Sequence, residues 1–223
     1  METSRSNPIQ LSQSLIVGIT LALVGGFLDA YTYILKGGVF ANAQTGNIVL
    51  LGINLAEANF TMALTFVFPI LAFVLGVIIV EIIKKKYRFN NNIHWRQIII
   101  AFEILVLVGI GFITDSKHDI IVNVAISFVC SMQVQSFRLL NGNTFATTMC
   151  TGNLRSAAEQ LFRYSITHDK TARNSALNYL VIIVFFIIGA LCGTIASLQI
   201  GAASIWICCG ALVLVFFTMF IRK

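Results

Sequence analysis

Two triplets hold the most promising chemistry in this chain. Thr45-Gly46-Asn47 ends the segment "NAQTGN", and Thr151-Gly152-Asn153 ends "TTMCTGN" roughly a hundred residues later. Each stands where a long apolar run breaks. Threonine caps a helix by accepting an N–H of the first turn. Glycine lets another backbone or a solute come close, and asparagine offers both donors and acceptors. A helix start also presents free N–H groups and about half a positive charge. Two such starts facing each other would hold an anion or a small polar solute. The candidate binding residues are therefore Thr45, Gly46, Asn47, Thr151, Gly152 and Asn153. One TGN alone is equally an ordinary helix cap.

The elements that position them are membrane helices. The 223 residues are 57% hydrophobic and 11% charged, with a mean hydropathy of +0.87. Soluble domains carry about 25% charged residues. One span needs roughly 20 mainly apolar residues, so the chain is expected to be a single membrane domain over 1–223. Six long runs fall at about 12–35, 62–83, 97–114, 119–138, 175–198 and 203–221. Two shorter ones, about 45–58 and 151–166, suit re-entrant or interfacial helices. The first run continues without a small-residue cleavage site and reads as a retained span. With the N-terminus inside and six crossings, thirteen of the fifteen basic residues face the cytoplasm, and Lys36 and Lys117 face outward. If the two short runs also crossed, the termini and the Lys84–Lys86 loop would keep their sides. The expected protein is multi-pass, with both termini cytoplasmic. The +6 charge belongs to this loop pattern and does not indicate nucleic acid.

Aligning the triplets extends the match. With one extra residue in the second copy, Phe40-Ala41 meets Phe145-Ala146, Gly37 meets Gly142, and Leu35 meets Leu140. The order long span, broken stretch, short helix, long span, long span also repeats. Repeat one covers about 8–114 and repeat two about 115–223. Three crossings per half put the second half upside down, giving an inverted 3+3 repeat of the kind transporters use. A duplication that serves only folding would leave the same pattern. The fold class expected is all-α: six transmembrane helices plus two re-entrant ones. In the first half "GGVFANAQ" has no helix period, and eight extended residues reach about 26 Å, enough to return to the midplane. Backbone of that kind survives at depth only where it is buried or lines a polar cavity.

Other polar residues fall inside the apolar runs. Asp29 could bind a coupling proton or Na⁺, or it could pair structurally with Lys36. The repeat puts Gln133 or Gln135 near its matching place. Arg155 suits either an inner vestibule or the polar face of a surface helix whose apolar stripe is Leu154, Ala158, Leu161 and Phe162. Glu103 is expected to pair with a basic residue of the inner loops, and Glu81, next to the Lys84–Lys86 cluster, to lie at the interface. Tyr31 and Tyr33 suit an outer mouth or an interfacial belt. Gly189 and Gly193, and more loosely Ala72 and Gly76, have the spacing of close helix packing, within the bundle or in a homodimer. The five cysteines form no CxxC, and the histidines at 94, 118 and 168 form no cluster, so neither metal nor cofactor is expected.

"GGFLDAYTYILKGGVFANAQTGN" together with "SMQVQSF" and "TTMCTGNL" resembles the YoaK family of bacterial membrane proteins, over nearly the whole chain. The resemblance implies a polytopic protein of the bacterial cytoplasmic membrane and carries no catalytic or binding residue with it. From the residues themselves, the function expected is a channel or secondary transporter for a small polar or anionic solute. The alternative is a non-transport membrane scaffold or sensor. No Walker motif is present to power a pump. An enzyme is not expected, because HExxH and GxSxG are both missing.

Overall fold

A computed structural model describes residues 14–87, 95–140, 143–145, 148 and 150–219. Expectations about both termini, and about Arg88, His94, Gly142 and Ala146, lie outside the described residues. Eight α-helices are described: α1 (Leu15–Leu35), α2 (Gln44–Ala56), α3 (Phe60–Tyr87), α4 (Trp95–Ile110), α5 (Asp119–Ser136), α6 (Cys150–Thr167), α7 (Lys170–Ile200) and α8 (Ile205–Thr218). A two-residue antiparallel ribbon pairs β1 (Leu139–Leu140) with β2 (Asn143–Thr144) ahead of α6.

Each of the eight apolar runs contains one helix. Four stretches are long and apolar enough to cross a membrane: Leu15–Leu35, Phe60–Tyr87, Ser116–Ser136 and Lys170–Thr218. The last holds both α7 and α8, joined by a 3-10 turn at Gly201–Ser204. The 16-residue α4 starts two residues ahead of its run, ends four short of it, and spans about 24 Å. The 28-residue α3 spans about 42 Å and keeps Pro69 in its interior. Proline removes one helical N–H there, a loss that neighbouring helices can offset in a membrane. Broad apolar faces stay uncovered, with Leu71, Val74, Leu75 and Ile78 on α3 and Ile187, Leu191, Ile195 and Leu198 on α7. Patches of this extent are rare on soluble monomers, and here they are surface for lipid.

The core lies around α1 and α5. Leu28, Leu107, Ile126 and Leu212 bring α1, α4, α5 and α8 together. A second cluster joins Val80, Trp95, Ile99 and Met132. Helix contacts come in matching pairs: α1 packs on α7 as α5 packs on α3, α2 lies on α3 as α6 lies on α7, and α4 meets α5 as α8 meets α1. The closest crossings use small residues. A Cβ on Gly189 would strike the Leu23 carbonyl, and one on Gly193 the Phe27 backbone. A Cβ on Gly76 would strike the Phe128 carbonyl and Ser131. Leu23 and Phe128 hold equivalent places when the triplets are aligned. The small-residue motifs are therefore spent on contacts inside this chain.

The corners after the two short helices are also alike. Ala58 (φ 55°) and His168 (φ 52°) are left-handed. Asn59 and Asp169 follow them and accept from the first turns of α3 and α7 through Met62 N and Thr171 N. A left-handed residue ends the one helix and a polar side chain starts the next.

Candidate functional site

A single residue from ahead of each short helix, Asn42 or Thr148, reaches the middle of α1. Gly37 and Gly38 (φ 77° and 73°) turn the chain back after α1. Five residues on, the Asn42 amide donates to Asp29 Oδ1 at 2.6 Å. The amides of Ala41 and Ala43 and the Asn42 side chain lie near that carboxylate as well. The Asn42 Nδ2 donates to the Gly25 carbonyl at 3.3 Å, and Asn42 Oδ1 has no partner among the described residues. From the second half, Thr148 lays its methyl group against Gly25. Its Oγ1 is buried and likewise has no partner among the described residues. Cys150, the first residue of α6, lies in the same neighbourhood as Asp29.

Asp29 is thus neither free nor paired with Lys36. It takes the N–H groups just ahead of α2, the role an external anion would otherwise have at a helix start. Lys36 is buried and turns to Asp119 Oδ1 at 3.0 Å and to the Ile113 carbonyl at 3.3 Å. Asn123 donates to the Lys36 carbonyl at 2.7 Å. Tyr31 is wholly buried, with its hydroxyl on the Ala202 carbonyl at 3.4 Å, while Tyr33 is exposed and stacks on Phe40.

The triplets themselves play different parts from those their sequence suggests. Thr45 does not cap α2: the cap position is Ala43, without a side-chain bond, and Thr45 is the helix's second residue and exposed. Thr151 is likewise second in α6 and exposed. The asparagines are the buried members, at 0% and 2% exposure for Asn47 and Asn153. Asn47 accepts from Phe40 N at 2.9 Å and donates to Phe40 O at 2.8 Å and Gln44 Oε1 at 3.0 Å. It clips the return segment to α2 as a neighbouring strand would. Gly46 makes room for the same residue, since a Cβ would stand 2.8 Å from the Phe40 ring. Gly152 has open space around it.

The remaining candidates spread away from this centre. Gln133 is buried and donates to Glu103 Oε1 at 2.9 Å, so Glu103 is held by an amide of α5 instead of an inner-loop cation. Gln135 donates to Glu81 Oε1 at 2.6 Å, beside the Glu81–Lys84 ion pair. Arg155 is exposed on α6. All five cysteines are free, and no group of acidic, Cys and His side chains fit to hold a metal occurs among the described residues. Sequence reasoning missed Asn42 and Thr148. Their signal was position: each lies three residues ahead of its triplet, inside a segment that has to be buried.

Comparison with known proteins agrees with this architecture at the level of family. Residues 17–218 match the family described as "Protein of unknown function (DUF1275)". The chain is 26% identical over 212 residues to "UPF0700 transmembrane protein YoaK" of Bacillus subtilis (strain 168), covering 91% of each. No solved structure matches it. A match that runs from the start of α1 to the end of α8 takes in the whole described bundle, and the chain belongs to the DUF1275 family, as a membrane protein of the YoaK type.

Proposed function

We propose that this membrane protein is a channel or secondary transporter for a small polar solute, which passes between the two segments that precede α2 and α6. The observation that carries this reading is the pair of buried oxygens, Asn42 Oδ1 and Thr148 Oγ1, one from each half, on two residues that both touch Gly25 through other atoms. Leaving such atoms unpaired costs about 1–3 kcal/mol each, a cost that a passing solute or water would offset. Asp29 already occupies the amides ahead of α2. A solute with N–H or O–H donors therefore suits the place better than an anion.

The matched helix contacts and matched corners support an inverted 3+3 repeat. In this reading α1, α3, α4, α5, α7 and α8 cross the bacterial cytoplasmic membrane, α2 and α6 are re-entrant, and both termini are cytoplasmic. The protein does no bond-making chemistry. The internal use of Asn47 and Asp29 favours a second reading, a scaffold or sensor whose repeat serves packing alone.

Reconstituted vesicles separate the two. Glycerol and urea are the probes, and stopped-flow light scattering reads their entry. Entry faster than in protein-free vesicles, slowed by Thr148→Val, is the expected result. The valine keeps the shape and removes only the hydroxyl. Folded protein that leaves both rates at the protein-free value would sink the transport reading and favour the scaffold.

A further inference from the structure

Glu103 lies outside that site. It is wholly buried in α4 and accepts one hydrogen bond, from Gln133 Nε2 of α5, on Oε1. Oε2 has no partner among the described residues. The helices packed on α4 are α3, α5 and α8. The titratable groups they bring near Glu103 are thiols: Cys130 from α5, and Cys208 and Cys209 from α8. Among the described residues no cationic side chain faces it. Arg96 of its own helix is turned to the Ser136 carbonyl at 2.9 Å.

An ionised carboxylate here would be a buried charge with one amide donor and no counter-ion among the described residues, a strongly disfavoured state. A carboxylic acid fits instead. Its carbonyl takes the Gln133 N–H, and its hydroxyl carries the proton on Oε2. We propose that Glu103 is a proton-binding site inside the bundle, with Gln133 as the positioning residue that fixes Oε1 as the carbonyl. The ligand is the proton itself. It leaves only when water or a base reaches Oε2, so loading and release follow a parting of α4 from α5 or α8. The site does not depend on the transport reading: a protein that moved no solute would still hold this proton.

Infrared spectroscopy of the full chain in lipid nanodiscs at neutral pH tests it, with isotope-labelled glutamate to separate Glu103 from Asp29. The expected result is a carboxylic-acid carbonyl band that shifts with the label and is missing in Glu103→Gln. In Gln133→Leu the same band moves to higher frequency, because its carbonyl loses a hydrogen bond; a merely structural glutamine would leave the band in place. A wild-type spectrum with no label-sensitive acid band overturns the proposal, as does a band that persists in Glu103→Gln. If Glu103→Gln fails to fold, the labelled wild type and Gln133→Leu decide the matter.

Discussion

Gly46 and Gly152 hold the same place in two short helices and meet different surroundings. Gly46 lies under the Phe40 ring, which also stacks on Tyr33 at 4.8 Å. A Cβ on Gly152 would meet nothing within 4 Å among the described residues, and the matching aromatic, Phe145, is carried off to Tyr179 of α7, 4.0 Å between ring centroids. The helix surfaces diverge too. Between Gln44 and Ala56 there is no charge, and Ile48, Val49, Ile53 and Leu55 are exposed. On α6, at about 100° per residue, three strips appear. Leu154, Ala158, Leu161 and Phe162 form an exposed apolar strip, Arg155, Glu159 and Arg163 an exposed charged one, while Asn153 and Ala157 are buried. One backbone plan thus carries a helix suited to hydrocarbon and one suited to the boundary between lipid and water. What the halves share is the buried asparagine and the corner; what they do not share is the outer face.

The largest expected effect breaks the first helix at its clip. Asn47→Leu removes three hydrogen bonds and orphans the N–H and C=O of Phe40. At about 1–3 kcal/mol for each orphaned group, the loss should be roughly 2–6 kcal/mol. It should appear as a sharp fall in melting temperature of the detergent-solubilised protein. An unchanged melting temperature would show that the clip holds nothing.

Next comes the glycine pair. Gly46→Ala pushes into the Phe40 ring and should cost about 1–3 kcal/mol, as overpacking does. Gly152→Ala meets open space inside a helix and should stabilise by about 0.5–1 kcal/mol. Opposite signs in the same thermal assay sharpen the comparison, and equal signs would erase it.

Much of this was legible from apolar runs alone. Each of the eight apolar runs carries a helix, because a backbone set among apolar side chains has to satisfy its own N–H and C=O groups. The brevity of the runs around Thr45 and Thr151 marked α2 and α6. The partners of single polar residues were not legible. Asp29 was within helical reach of Lys36, yet its partner is Asn42, because the return segment brings a row of bare amides to it. Glu103 and Gln133 are thirty positions apart, and only the packing of α4 on α5 joins them. The helices start two residues earlier than threonine caps imply, at Gln44 and Cys150. Asn47 is the better guide, because it stabilises the segment before the helix and not the helix end.

A smaller effect probes the shared corner. Ala58 and His168 both hold left-handed backbone, which a Cβ disfavours. Ala58→Gly and His168→Gly should each stabilise by about 0.5–1 kcal/mol, read as matching rises in melting temperature. A rise in only one would mean that the two corners differ in more than sequence.

The smallest effect separates those corners by charge. Asp169 accepts from Thr171 N at 2.8 Å and faces Arg163 Nη2 at 3.6 Å. The Thr171 amide above all, with lesser help from Arg163, holds its carboxyl below the usual aspartate range. A group depressed in the folded state adds stability above its unfolded value, about pH 4, and loses it as pH falls through the folded value. Asn59 caps α3 at the matching place and has no proton to gain. Acidification from pH 5 to about pH 2 should therefore loosen the first turn of α7 while the first turn of α3 stays as it was. Hydrogen exchange at the Thr171 and Met62 amides, corrected for the intrinsic pH dependence, reads the two separately. Asp169→Asn should flatten the response at Thr171. Protection lost in step at both amides would mean that acid acts on the bundle as a whole, and the carboxylate would then have no local part in the corner.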